Sequence, residues 1–151
     1  MAKEPLEGMI YMNDRAFLDT NILVYCFDSS VPDKKKIALD LVLELWEWGK
    51  GVLSLQVLKE FFVTVTQKTV FKMEYEDARR AVEDFLCWEI IYEDRDALKM
   101  AIRVSRDYRI SFWDANIITC ASLGGCSICY SEDLNDGQII EGIKIINPFR
   151  N

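Results

Sequence analysis

Apolar residues along the chain occur in two alternating spacings, short continuous runs and longer stretches with a period of about 3.6, which predicts an α/β domain on a parallel sheet. Ala16-Phe17-Leu18 reads as a short buried strand whose carboxyl end delivers the polar residues Asp19-Thr20-Asn21. From Lys34 to Trp48, Ile37, Ala38, Leu41, Val42, Leu45 and Trp46 share one helical face, and Gly49 and Gly51 bracket the end. Val52 to Leu55 is a second strand, followed by a helical run with Val57, Leu58, Phe61, Phe62 and Val65 on its apolar face. Tyr75 to Leu86 repeats the helical period, Glu89 to Tyr92 is a third strand, and Asp96 to Tyr108 is again helical. Ser111, three residues before Asp114, makes a capping-box-like start to a helix reaching about Leu123. Ser127 to Tyr130 and Lys144 to Ile146 supply a fourth and a fifth strand. Residues 1–12 fit this scheme poorly and are expected to be a frayed N-terminal extension of one domain over residues 13–149.

Composition narrows the chemistry. At 151 residues the chain has room for one full core and no second domain. It contains no His, which removes Ser/His/Asp and Cys/His nucleophile pairs, His-ligated zinc hydrolases and paired-imidazole ribonucleases. A net charge of -7 argues against a protein that grips nucleic acid by bulk positive charge. It leaves open a nuclease whose carboxylates hold dications, because bound dications invert the local potential. The N-terminus carries charges where a secretory signal needs an apolar run, and the long uncharged stretch that includes Ala115 to Tyr130 is broken by Gly124-Gly125. Five scattered Cys fit free thiols in a reducing compartment, so a soluble, cytoplasmic protein is expected.

Three carboxylates stand where open parallel sheets place ligand sites: Asp19 after the first strand, Asp133 after the fourth, and Asp114 at the start of the helix between Ile110 and Ile117. Each has a plainer reading. Asp114 taken alone is more commonly a helix cap, although its apolar flanks Ile110, Ile117 and Ile118 would not leave a charge without a partner. Asp19 and Asn21 could close a turn, and Asp133 could belong to a polar loop ending in Asp136-Gly137. Glu60, among Val57, Val63 and Thr64, is either a fourth member or a boundary residue reaching water. Cys126 and Cys129 lie in a strand that sends residues three apart to opposite faces, so core thiols are expected there rather than a metal or redox pair. The basic run Lys34-Lys35-Lys36 opens a helix and reads as solvated surface.

Four short motifs in order resemble the PIN domain, and most closely the VapC-type toxin of toxin–antitoxin systems. They are Phe17-Leu18-Asp19-Thr20-Asn21-Ile22-Leu23-Val24-Tyr25, Ser54-Leu55-Gln56-Val57-Leu58-Lys59-Glu60-Phe61, Ser111-Phe112-Trp113-Asp114-Ala115 and Tyr130-Ser131-Glu132-Asp133-Leu134. The tail from Gly142 to Phe149 is similar to the end of that family. The resemblance implies a three-layer α/β/α sandwich around a mostly parallel sheet and a metal-dependent ribonuclease. It places Asp19, Glu60, Asp114 and Asp133 in the catalytic quartet, with Asp19, Asp114 and Asp133 as metal ligands and Asn21 and Ser131 as supporting residues. Glu132 and Asp136 lie close enough to Asp133 to replace it, and Asn116 follows Ala115 where relatives often carry an aliphatic residue.

The family further implies Mg²⁺ or Mn²⁺, hard cations that take oxygen ligands, together with an RNA substrate, a cognate antitoxin and a homodimer. Without metal, four gathered carboxylates should raise at least one pKa by mutual repulsion. Two other classes remain. An aspartyl-phosphate phosphohydrolase could use Asp19 as nucleophile, although that chemistry usually wants an Asp where Asn21 stands. A catalytically silent interaction module could use the acidic patch to dock a basic peptide. Aromatics such as Trp46, Trp48, Phe61, Phe62 and Trp88 suit either an interface or the core.

Overall fold

A computed structural model describes residues 14–150, so the expected extension over residues 1–12 lies outside the described residues. The first strand, β1 (Ala16–Leu18), is wholly buried and leads directly into a short helix, α1 (Thr20–Tyr25). The sequence pattern does not show α1, because Ile22-Leu23-Val24 is a continuous apolar run without a helical period. The long helix α2 (Pro32–Trp48) begins with Pro in its first turn and ends at Gly49, whose φ of 64° allows the left-handed close. Strand β2 (Gly51–Ser54) follows, and a side chain at Gly51 would overlap the ring of Trp88. Helix α3 (Leu55–Val63) is capped by Ser54, whose Oγ accepts from the backbone N–H of Val57, and the chain then widens into a π-helical turn at Thr64–Lys68.

The remaining elements are α4 (Tyr75–Phe85), β3 (Glu89–Ile91), α5 (Arg95–Tyr108), α6 (Phe112–Leu123), β4 (Ile128–Tyr130), β5 (Ile139–Ile140) and β6 (Ile143–Ile146). The sequence pattern misses β5, whose two residues are too few to show a period. Asp94 and Ser111 cap α5 and α6 through their side chains.

The sheet has the order β3-β2-β1-β4-β6-β5, parallel throughout except for β5. Phe17 stands opposite Val52 on one side and Cys129 on the other, which makes β1 an interior strand, one of the middle pair with β4. The steps from β1 to β2 and from β2 to β3 run one way, and the step from β3 to β4 returns past β1. Because such crossovers are right-handed, the reversal puts α1 to α4 on one face and α5 and α6 on the other. The packing agrees: α1 contacts α2 and α3, α3 contacts α4, and α6 lies across β1, β2, β4 and β6. The result is a three-layer α/β/α domain.

The core holds Phe17, Leu18, Ile22, Leu23, Leu45, Leu53, Phe61, Ile118 and Tyr130 with almost no exposure. Phe85 meets Trp46, Phe61 and Trp88 at centroid distances of 5.9, 5.8 and 5.9 Å, so much of the aromatic content is packing. All five Cys are free; Cys126 and Cys129 are buried, and burial raises both thiol pKa values. Among the described residues no helix is long and apolar enough to cross a membrane.

Candidate active site

The connections leaving β1 and β4 depart in opposite directions, which opens a crevice beyond their carboxyl ends. Asp19 follows β1 there. Its side chain caps α1 by accepting from the Thr20 backbone N–H at 2.7 Å, and its own N–H donates to the Tyr130 carbonyl at 3.0 Å. Ser131, the fully buried residue after β4, donates its hydroxyl to the other Asp19 oxygen at 2.9 Å. The same hydroxyl accepts the backbone N–H groups of Asp133 and Leu134 at 3.2 and 3.3 Å, which uses its full hydrogen-bonding capacity.

The first turn of α1 reaches two further carboxylates. Thr20 donates its hydroxyl to Glu60 on α3 at 3.0 Å, and the Asn21 amide donates to Asp133 at 2.7 Å. Gln56, one helical turn before Glu60, donates its side-chain amide to the other Glu60 oxygen at 3.1 Å. Asp19, Glu60 and Asp133 thus line one open groove of about 380 Å³, together with Thr20, Asn21, Gln56, Lys59, Val63, Thr64 and Lys68. Among the described residues none of the three carboxylates is ion-paired.

The pKa of Asp19 is pushed up to about 6. Burial is the largest cause, the hydrogen bonds from Ser131 and Thr20 pull the other way, and the charges of Asp133 and Glu60 add to the rise. Repulsion within the cluster therefore acts in the expected direction, but desolvation outweighs it.

Glu132 and Asp136, open alternatives to Asp133 on spacing, are engaged elsewhere. Glu132 accepts from the Tyr25 hydroxyl at 2.9 Å and pairs with Lys34 at 2.8 Å, and the Lys34 ammonium lies 4.9 Å from the centre of the Tyr25 ring. Asp136 accepts from the Asn147 backbone N–H at 2.8 Å and stands 3.8 Å from Arg150. The basic run is tied down in the same way, with Lys35 on Ser29 and Lys36 on Asp40.

Asp114 lies in the first turn of α6, where Ser111 is the cap and accepts the Asp114 backbone N–H at 3.0 Å. Its half-buried side chain does not line the groove, and among the described residues no hydrogen bond or ion pair holds it. No three acidic side chains among the described residues close into a metal cage. Each groove carboxylate is instead turned to its own neutral donor. The sequence pattern assigns no role to Thr20, Gln56, Lys59, Lys68 or Glu93; Thr20 lies within the first motif and Gln56 and Lys59 within the second, whereas nothing in the pattern marks Lys68 or Glu93.

The family model for the PIN domain matches residues 16–135. The chain belongs to the PIN domain family. Solved structures that resemble this PIN domain include VapC toxins. A toxin–antitoxin complex from Klebsiella pneumoniae aligns at 22% identity over 90% of this chain and 99% of the other, with a TM-score of 0.67. VapC20 of Mycobacterium tuberculosis, described as a toxin cleaving the sarcin–ricin loop, aligns at 20% identity over 78% of this chain and 89% of its own, with a TM-score of 0.55. VapBC2 of Rickettsia felis, bound to a DNA fragment from its promoter, aligns at 19% identity over 86% and 96%, with a TM-score of 0.60. No curated protein sequence matches the chain.

Proposed function

We propose that this PIN domain is a metal-dependent endoribonuclease and the toxin of a toxin–antitoxin pair. The observation that carries the reading is the convergence of Asp19, Glu60 and Asp133, from three separate elements, on one open groove without a cationic partner among the described residues. An all-oxygen donor set whose carboxylates make no ion pair among the described residues suits Mg²⁺ or Mn²⁺. Asp19, Asp114 and Asp133 would hold the ion, and Glu60 would complete the acidic set. Asp114 would join by turning its unbonded side chain toward the crevice.

When bound, such an ion supplies positive charge that activates water and stabilises the leaving oxygen of a phosphodiester. The chain's own groups set the geometry. Ser131 fixes the orientation of Asp19, and Asn21 fixes that of Asp133. Lys59 and Lys68 line the same groove and, among the described residues, make no ion pair, so they offer the phosphate backbone the positive charge that the whole molecule lacks.

The Klebsiella and Rickettsia neighbours support a cognate antitoxin, whose basic side chains would enter the acidic groove. A homodimer belongs to the same family reading, and a cytoplasmic location fits the five free thiols. The test is incubation of purified protein with structured RNA in Mg²⁺ or Mn²⁺, beside EDTA and Asp19→Asn controls. Cleavage by wild type alone, abolished by EDTA, is expected. Equal cleavage by Asp19→Asn, or cleavage in EDTA, overturns the reading.

A further inference from the structure

We propose that Glu93 is a positioning residue that ties α3 to α6, and so holds Glu60 and Asp114 in register; the inference rests on the nuclease reading above. Glu93 lies two residues beyond β3 and is half-buried. One carboxylate oxygen accepts the backbone N–H of Gln56 in the first turn of α3 at 3.1 Å. The other accepts the side-chain amide of Asn116 on α6 at 2.9 Å.

The first contact answers a local need. The opening N–H groups of a helix have no partner within it, and Ser54 satisfies Val57 but not Gln56. Glu93 takes the second donor, and its charge suits the positive end of the helix. Gln56 in turn holds Glu60 through its side chain, so the register of α3 at Glu93 passes directly to a groove carboxylate.

The second contact has no such packing rationale. Asn116 is 6% exposed and sits between Ala115 and the buried Ile117 and Ile118, where an aliphatic side chain would pack without desolvating an amide. Its amide is spent on Glu93, two residues from Asp114. The pair therefore joins two elements that each carry one acidic side chain.

A polarity swap tests the clamp. Glu93→Gln keeps the shape but removes the charge and leaves one carbonyl oxygen where two carboxylate oxygens served Gln56 and Asn116, and adding Asn116→Asp gives the new amide a charged acceptor, with the roles of the second contact reversed. With Mn²⁺ affinity read by calorimetry and RNA cleavage assayed well below the melting temperature, Glu93→Gln should lower Mn²⁺ affinity and kcat by about 10- to 100-fold with KM for RNA unchanged. The double variant should recover most of both. Asn116→Leu, which preserves packing if Glu93→Gln folds poorly, should weaken Mn²⁺ binding without lowering the melting temperature. Glu93→Gln that melts lower but binds Mn²⁺ and turns over as wild type makes Glu93 merely structural and overturns the proposal. So does a double variant no better than Glu93→Gln. Wild type that neither binds Mn²⁺ nor cleaves RNA overturns the nuclease reading itself, and the clamp falls with it.

Discussion

One hydroxyl, that of Ser131, joins the two strands that frame the crevice, since it donates to Asp19 and accepts two backbone N–H groups of the Asp133 loop. Ser131→Ala strands those groups in a buried place and should lower stability by about 1–3 kcal/mol in chemical denaturation. Asp19 itself carries a pH signature. Its pKa near 6 in the fold lies above its ordinary value of 3.8, so the folded protein holds a proton that the unfolded chain has released. The contribution of Asp19 is fully favourable below about pH 4 and is lost as pH rises through 6. In metal-free buffer at pH 7.5, Asp19→Asn should therefore be the more stable protein, on the order of 2 kcal/mol after allowance for screening by groove water, with the gap closing toward pH 4. Denaturant titrations across that range read it directly, and a gap that stays constant with pH would mean that Asp19 titrates alike in the folded and unfolded chain, against this account. At this scale the sequence shows Asp19, Glu60 and Asp133 as polar residues at strand ends or on an apolar helix. It cannot show Glu93, whose partners Gln56 and Asn116 are 37 and 23 residues away and meet it only in the fold.

Helices with a clear period and a cap were legible nearly to the residue. Ser111 was readable as the start of α6 because its spacing to Asp114 is the capping geometry itself. The short elements were not. α1 hides in an apolar run, yet its first turn supplies Thr20 and Asn21, the donors that reach Glu60 and Asp133. The π-helical turn after α3 was also invisible, because one additional residue per turn leaves little trace in so short a pattern. That turn carries Thr64 and Lys68 to the groove. If Lys59 and Lys68 contact the phosphate backbone, replacing both with Ala should raise the Kd for single-stranded RNA. The slope of log K against log salt should shrink by about 0.7 for each lysine lost, measured by anisotropy in the cleavage-impaired Asp19→Asn background. An unchanged slope would remove them from the RNA path.

The whole molecule places this chemistry by topology. An α/β alternation implies a parallel sheet, and reversal of strand order beside β1 puts the crevice between β1 and β4, where two of the acidic residues follow strand ends. The sequence could announce the architecture but not the order of strands, which depends on packing between distant segments. On the proposed reading a dication lets this groove accept a polyanion, since its three carboxylates make no ion pair among the described residues and the chain carries a net charge of -7. The most direct measurement is therefore Mn²⁺ titration calorimetry on EDTA-stripped wild type, Asp19→Asn and Asp114→Asn. Saturable binding by wild type, weakened at least about 10-fold in both variants, is the expected result. No saturable heat in wild type, or variants that bind as tightly as it does, would contradict the account.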